Sequence, residues 1–170
     1  MMLSDGTIQQ LLDTGDLVIV PMNVERVIQP ASIDLRLGGH FLRIMQDGEF
    51  EQEIEAGGTF AIDPQECVLA TTHEWVQIPR ELVGRVEGKS TWGRKFLMVH
   101  STAGFVDPGF RGQLTLELHN LSPRRLTLTV GQPIAQISFL SMDAPVLRPY
   151  GHPDLGSHYQ HQTGATRAAC

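Results

Sequence analysis

The chain has little of what marks extracellular, membrane or metal-scaffold proteins. Only two of its 170 residues are cysteine, Cys67 and Cys170. One sits in an apolar run and the other at the last position, so neither a disulfide framework nor a cysteine metal cluster is expected, and the thiols read as reduced. No run of roughly 18 apolar residues occurs, which excludes a spanning helix. The opening Met1-Met2-Leu3-Ser4-Asp5 lacks a basic stretch followed by an apolar one. No secretory signal is read there, and the expectation is a cytoplasmic protein with no membrane partner. Cations are in the minority, with 13 Lys and Arg against 19 Asp and Glu and a net charge of −6. A basic face for a long nucleic acid is therefore not indicated. A small phosphorylated ligand stays allowed, because it needs only a local cluster of cations and backbone N–H groups.

What is present is ordinary for a folded globular chain: 41% hydrophobic and 19% charged residues, in a length that suits one core. Ser4 or Asp5 can cap a helix near Asp5 to Asp13, in which Ile8, Leu11 and Leu12 recur at helical spacing before Gly15. Beyond it, short alternating or apolar runs are punctuated by Gly and Pro, as in a sandwich or barrel. Strands are predicted at Leu17–Val20, Ser32–Leu37, His40–Ile44, Cys67–Thr72, Glu74–Ile78, Val83–Glu87, Leu97–Ser101, Leu114–Leu118, Leu126–Val130 and Ile134–Leu140. Ala56-Gly57-Gly58 reads as a turn, and the polar segment Lys89–Lys95 as one short helix. Residues 1–150 read as a single β domain. The tail, 151–170, is rich in Gly, His, Gln and Thr, so it is either a frayed terminus or a segment that orders over a ligand.

Three segments carry candidate chemistry. Glu87-Gly88-Lys89-Ser90-Thr91-Trp92-Gly93-Arg94 joins a glycine, hydroxyls and cations in the manner of a phosphate-binding nest, although a surface turn has the same composition. It lacks the earlier glycine of GxxxxGK[ST], so it is not a P-loop. In Gln113-Leu114-Thr115-Leu116-Glu117-Leu118-His119 the leucines point one way and the polar residues the other. Glu117 is then either on a solvated outer face or a general base lining a cleft. Asp107-Pro108-Gly109 makes either a plain turn or a fixed aspartate that orients a water or a sugar hydroxyl. The H-x-E and P-C-x-x-C pattern of zinc deaminases is missing, and His40, His73, His100 and His119 are scattered without an H-x-H pair.

Taken in order, QPASIDLRLG (Gln29–Gly38), EGKSTWGR (Glu87–Arg94), HSTAGFVDPGFRGQLTLEL (His100–Leu118), GQPIAQISF (Gly131–Phe139), RPYG (Arg148–Gly151) and GSHYQHQTGAT (Gly156–Thr166) resemble the dCTP deaminase family of the dUTPase-like superfamily, including its bifunctional deaminase/dUTPase members. The resemblance runs from about Leu3 to Thr166. It implies a mostly β, distorted barrel or jelly roll with a short N-terminal helix and a flexible C-terminal tail that closes over the site. It also implies a homotrimer with active sites at subunit interfaces. The implied activity is zinc-independent hydrolytic deamination of dCTP, a hydrolase reaction on a cyclic amidine, followed in bifunctional members by cleavage of dUTP. Mg2+ arrives with the triphosphate and takes no protein side chain, and dTTP is a feedback ligand of the same pocket.

By position, Glu117 matches the catalytic glutamate that moves a proton from the attacking water to the cytosine amino group. Ser90 and Arg94 match the residues that hold that water and steady the developing charge, together with the Ala103 carbonyl. Lys89, Ser90 and Thr91 match the phosphate loop, and Gln136 a position near the triphosphate. Tyr150, Tyr159 and Gln162 match the part that folds over the phosphates. Asp107 matches the aspartate near the deoxyribose, which in bifunctional members also orients the water that attacks the α-phosphate. Gly104-Phe105 resembles bifunctional members, since a histidine and an arginine tend to stand there in deaminase-only ones. The tail departs from the family pattern SKYQGQRGPT at His158, His161, Thr163 and Ala165, so that two cationic phosphate partners are weakened or lost. Two alternatives accompany the deaminase reading: a dUTPase only, and a non-catalytic nucleotide-binding trimer.

Overall fold

The computed structural model describes residues 1–22, 27–45 and 47–169. Helix α1 (Asp5–Thr14) buries Ile8 completely and ends at Gly15, whose left-handed backbone (φ 76°) returns its N–H to the Leu12 carbonyl. Ser4 occupies the N-cap position, yet its hydroxyl lies beside that of Thr7 and makes no cap hydrogen bond.

The strands are β1 (Val18–Val20), β2 (Ile28–Gln29), β3 (Ser32–Met45), β4 (Gly48–Glu53), β5 (Thr59–Ile62), β6 (Cys67–Gln77), β7 (Leu82–Gly88), β8 (Leu97–Met98), β9 (Phe105–Val106), β10 (Arg111–Asn120), β11 (Leu126–Thr129) and β12 (Pro133–Ser141). One sheet runs β8-β10-β6-β3-β12-β7-β9, with β1 on β6 and with β2 and β4 on β3. A second pairs β11 with β5. The result is the mostly β, curled barrel-like sheet with one short N-terminal helix that the sequence pointed to.

Two pairs of predicted strands turn out to be single long ones. β3 pairs with β12 along Ile33–Arg36 and with β6 and β4 beyond Leu37, the register shifting between Leu37 and Phe41. At that bend a side chain cannot be fitted: a Cβ on Gly39 would meet the Ile54 carbonyl oxygen at 2.2 Å, and one on Gly38 would meet Thr71 at 2.5 Å. The expected strand Leu97–Ser101 shrinks to Leu97–Met98, because the chain turns away at Val99 to form the loop of the site.

The core lies inside the curl. Ile33, Leu35, Leu37, Leu116, Ile137 and Phe139 are at most 1% exposed, and Phe41 stacks on Phe60 with ring centroids 4.0 Å apart. Where β3 passes β6, Glu74 (2% exposed) accepts hydrogen bonds from both the backbone N–H and Nε of Arg36, at 2.8 and 2.6 Å. Arg36 Nη2 donates to the Pro21 carbonyl, so this buried carboxylate is fully compensated. The short helix expected between Lys89 and Lys95 is α2 (Ser90–Gly93). It is anchored by Trp92, whose ring is buried, whose Nε1 donates to the Pro133 carbonyl and over which the Lys95 ammonium sits.

Among the described residues no helix is long and apolar enough to cross a membrane. Cys67 is exposed and unpaired by any disulfide, and Cys170 lies outside the described residues.

Candidate active site

Strand β10 alternates as its sequence predicts. Leu114, Leu116 and Leu118 are buried, while Gln113, Thr115, Glu117 and His119 are half-buried on the other face. That face is no open surface, because the loop between β8 and β9 and the C-terminal tail cover part of it. The Oε2 of Glu117 accepts the Ser101 backbone N–H at 2.7 Å, which ties the carboxylate to this loop.

Glu117 lines a cavity of about 280 Å3 together with Ala103, Asp107, Tyr150, Tyr159 and Gln162, all six being residues the sequence had singled out. The tail forms one wall. His161 N donates to the Arg111 carbonyl, Gln113 N to the Gln162 carbonyl, and Gln162 Nε2 to the Gln113 carbonyl. Tyr150 is edge-on to Phe110, and its hydroxyl accepts from Tyr159 N. The tail therefore contributes more than its polarity suggested, including a buried Ala165. Asp107 also borders a neighbouring groove of about 530 Å3 walled by Arg148, Ser157 and His158.

The remaining sequence candidates are elsewhere on this chain. Lys89, Ser90, Thr91, Arg94 and Gln136 do not line the cavity. Lys89 Nζ donates to Asp34 at the junction of β3, β7 and β12, and Gln136 Oε1 accepts from the Ser32 hydroxyl. Ser90, Thr91 and Arg94 face solvent on α2 and just past it. The structure thus sorts the candidates into a carboxylate-bearing cavity and a separate cation-and-hydroxyl patch.

Two wall residues that the sequence had not assigned to the site are Phe105 and His100. Phe105 lies on the cavity although 67% exposed, and its place beside Gly104 in the TAGFVDPGF stretch was the available signal. His100 lines the cavity with Nδ1 buried and unpartnered among the described residues, while Nε2 is 3.9 Å from Glu87 Oε2. A Cβ on Gly104 would stand 3.0 Å from the His100 ring and 3.3 Å from the Val86 carbonyl oxygen.

With this geometry in view, a family model described as dCTP deaminase-like matches residues 2–142. The chain belongs to the dCTP deaminase-like family. Among its relatives, a protein of Haloarcula marismortui named dCTP deaminase is 44% identical over 180 residues, covering 96% of this chain and 92% of the relative. A protein of Corynebacterium glutamicum named dCTP deaminase, dUMP-forming, is 42% identical over 180 residues, covering 98% and 94%. The fold of this dCTP deaminase-like chain is shared with the crystal structure of 2′-deoxycytidine 5′-triphosphate deaminase from Agrobacterium tumefaciens (TM-score 0.66, 22% identity, 86% of this chain and 49% of that one). This chain spans about half of the Agrobacterium chain. The fold is shared too with a mutant dUTPase of Staphylococcus aureus phage phi11, whose structure details the coordination of a structural Mg(II) ion (TM-score 0.53, 17% identity, 78% and 94%).

Proposed function

We propose that the protein hydrolyses dCTP to dUTP and ammonia and then cleaves dUTP to dUMP and pyrophosphate. The observation that carries this reading is Glu117, a carboxylate fixed by the Ser101 N–H on the wall of a closed-over cavity. A volume of about 280 Å3 is at the low end for small-molecule sites, which suits a base and a deoxyribose. The triphosphate then runs past Asp107 toward the groove of Arg148 and His158.

In the first reaction Glu117 takes a proton from water as the water oxygen bonds to C4 of cytosine, and returns it to the amino nitrogen as the C4–N bond breaks. Ser90, Arg94 and the Ala103 carbonyl hold the water and the developing charge. Ser90 and Arg94 do not line the cavity of their own chain, so we assign them to the cavity of a neighbouring copy. The reading is a homotrimer with sites between subunits, and Lys89, Thr91 and Gln136 meet the phosphates from the same side. Residues 1–150 form the domain, and 151–170 act as the closing segment that brings Tyr159 and Gln162 onto the nucleotide, with Tyr150 at its base.

In the second reaction Asp107 orients a water toward the α-phosphorus, and the bridging bond to the β-phosphate breaks. What supports this step is Asp107 on the cavity wall and the likeness to the Corynebacterium glutamicum relative named dCTP deaminase, dUMP-forming. Among the described residues no group of three or more His, Cys, Asp or Glu side chains is placed to hold a metal. Mg2+ carried on triphosphate oxygens and water fits such a site, since it seldom needs a protein cage, and when bound it offsets phosphate charge. Competition by dTTP for the same cavity, and a cytoplasmic location, complete the proposal.

The test is an incubation of purified protein with dCTP and Mg2+, with nucleotides separated and ammonia and pyrophosphate assayed together. Ammonia with dUMP and pyrophosphate, and little free dUTP, is the expected result. Accumulating dUTP would limit the protein to deamination. Cleavage of added dUTP without ammonia from dCTP would make it a dUTPase, and no multiple-turnover product from either would leave a binding protein.

A further inference from the structure

His40, on β3, is not part of the cavity, yet it holds the tail that walls it. Its Nδ1 accepts the Ala165 backbone N–H at 2.7 Å, and its Nε2 lies 2.6 Å from Glu51 Oε1 on β4. The ring is enclosed: its side chain is 18% exposed, and a Cβ on Gly164 would stand 2.8 Å from Nδ1. Because Nδ1 faces an N–H donor it must be the unprotonated nitrogen, and the ring proton lies on Nε2, directed at Glu51. The docked tail therefore selects one neutral tautomer. A second proton on Nδ1 would set two donors against each other while leaving the Glu51 contact intact.

The neighbouring contacts converge on the same few tail residues. Gly164 N donates to Gln113 Oε1, Thr166 N to Thr115 Oγ1, and Arg167 reaches both Glu49 and Glu51. From this point the chain leads straight back to Tyr159 and Gln162 in the cavity wall.

We propose that His40 is a positioning residue for the reaction: in its neutral form it latches the tail at Ala165, and its protonation releases the tail from the cavity. The inference rests on the reading of the tail as the segment that closes on nucleotide. The charged and titratable groups on β3, on its partners β4 and β6 and on residues 158–169 are Asp34, Arg36 and Arg43 of β3, Glu49, Glu51 and Glu53 of β4, Cys67, His73 and Glu74 of β6, and His158, Tyr159, His161 and Arg167 of the tail, with Asp34 taken up by Lys89. Glu74 is taken up by Arg36, Arg43 is taken up by Glu66, and Arg167 is taken up by Glu49 and Glu51. Glu51 and Glu53 remain as the carboxylates nearest the ring, since Glu53 is the cross-strand partner of His40.

The experiment follows amide hydrogen exchange of residues 158–169 in the full-length, nucleotide-free protein at pH 7.5 and 5.5, corrected for intrinsic exchange rates. Wild-type tail amides are expected to be protected at the higher pH and to lose about tenfold of that protection at the lower, the scale of one hydrogen bond. His40→Asn keeps an acceptor where Nδ1 stands but cannot be protonated, so its tail stays protected at both pH values. His40→Phe has no acceptor and exchanges fast at both. Equal wild-type protection at the two pH values, or a His40→Phe tail as protected as wild type, overturns the latch. Exchange in β10 reports whether each variant is folded, and the wild-type pH comparison stands whether or not the variants fold. In turnover of dCTP, His40→Phe raises KM about tenfold with little change in kcat. Absence of any dCTP turnover in wild type would sink the nucleotide reading while leaving the exchange result to decide the latch.

Discussion

Glu117 and Ser101 are joined by a single hydrogen bond, carboxylate Oε2 to backbone N–H at 2.7 Å, and it fixes strand β10 to the loop that carries Ala103 and leads through β9 to Asp107. The bond uses one oxygen, and no hydrogen bond among the described residues engages the other. Glu117→Gln preserves an acceptor for Ser101 and removes only the capacity to take a proton. Ammonia release from dCTP is expected to fall by about 10²–10⁴-fold, the usual contribution of a positioned base. Binding of dCTP, followed by calorimetry in the same buffer, is expected to persist. Turnover at the wild-type rate would remove Glu117 from the mechanism.

In the proposed mechanism Asp107 serves the second activity and not the first. It stands on the rim between the cavity of Glu117 and the groove of Arg148 and His158, where the α-phosphate is placed by the proposed pose. Asp107→Asn retains shape and hydrogen bonding but cannot polarise a water. Chromatography of the products is expected to show dUTP accumulating from dCTP, with ammonia release kept and pyrophosphate release reduced at least a hundredfold.

How much of this was legible in the sequence depends on the range of the interaction. The alternation in Gln113–His119 placed Glu117 on the polar face of β10 correctly, because side chains on a strand repeat every two residues. Helix α1 was legible from Ile8, Leu11 and Gly15 for the same local reason. Strand β4 was not, since GEFEQE is exposed throughout and owes its conformation to pairing with β3. The continuity of β3 was hidden by Gly38-Gly39, which look like a break but make room for the Thr71 side chain and the Ile54 carbonyl. In the site, six candidates met in one cavity, while the separation of Lys89–Arg94 and Gln136 from it had no local signal. Nor had the contact of His40 with Ala165, partners 125 positions apart.

The buried Arg36–Glu74 pair gives a stability prediction independent of function. Glu74 is 2% exposed and accepts two hydrogen bonds from Arg36 at the crossing of β3 and β6. Removing one partner of such a pair leaves a poorly solvated charge, which costs on the order of 3 kcal/mol or more. Arg36→Ala, which leaves the Glu74 carboxylate buried without its guanidinium, is expected to lower the unfolding free energy by that amount, read as a lower urea midpoint with an unchanged slope. A shift below about 1 kcal/mol would place the pair among exposed ion pairs.

The carboxylate beside the latch titrates in a different window. The His40 hydrogen bond, then the Arg167 hydrogen bond, hold the Glu51 carboxyl below its ordinary value of 4.5. A depressed folded value means that its contribution is complete above about pH 4.5 and is lost as pH falls through the lowered value. Tail release between pH 7.5 and 5.5 therefore cannot come from Glu51. In His40→Asn, tail exchange is expected to stay flat down to the ordinary glutamate range and to rise only below it. A rise above pH 5 in that variant would point to a titrating group other than His40.

The division of candidates between a cavity and a patch that does not line it makes the subunit arrangement testable without a structure of the assembly. If Glu117 of one copy works with Arg94 of another, chains carrying Glu117→Gln and chains carrying Arg94→Ala are each inactive alone but complementary when mixed. A site is then intact whenever an Arg94→Ala chain supplies the glutamate and a Glu117→Gln chain supplies the arginine. Random reassembly of equal amounts of the two in a cyclic trimer makes about a quarter of all sites intact. Unfolding and refolding the mixture is expected to restore roughly that share of the wild-type ammonia release, whereas refolding either variant by itself restores none. If the mixture stays as inactive as its parts, the two residues act within one chain. Arg94 would then have to leave its exposed position beyond α2 to reach the cavity.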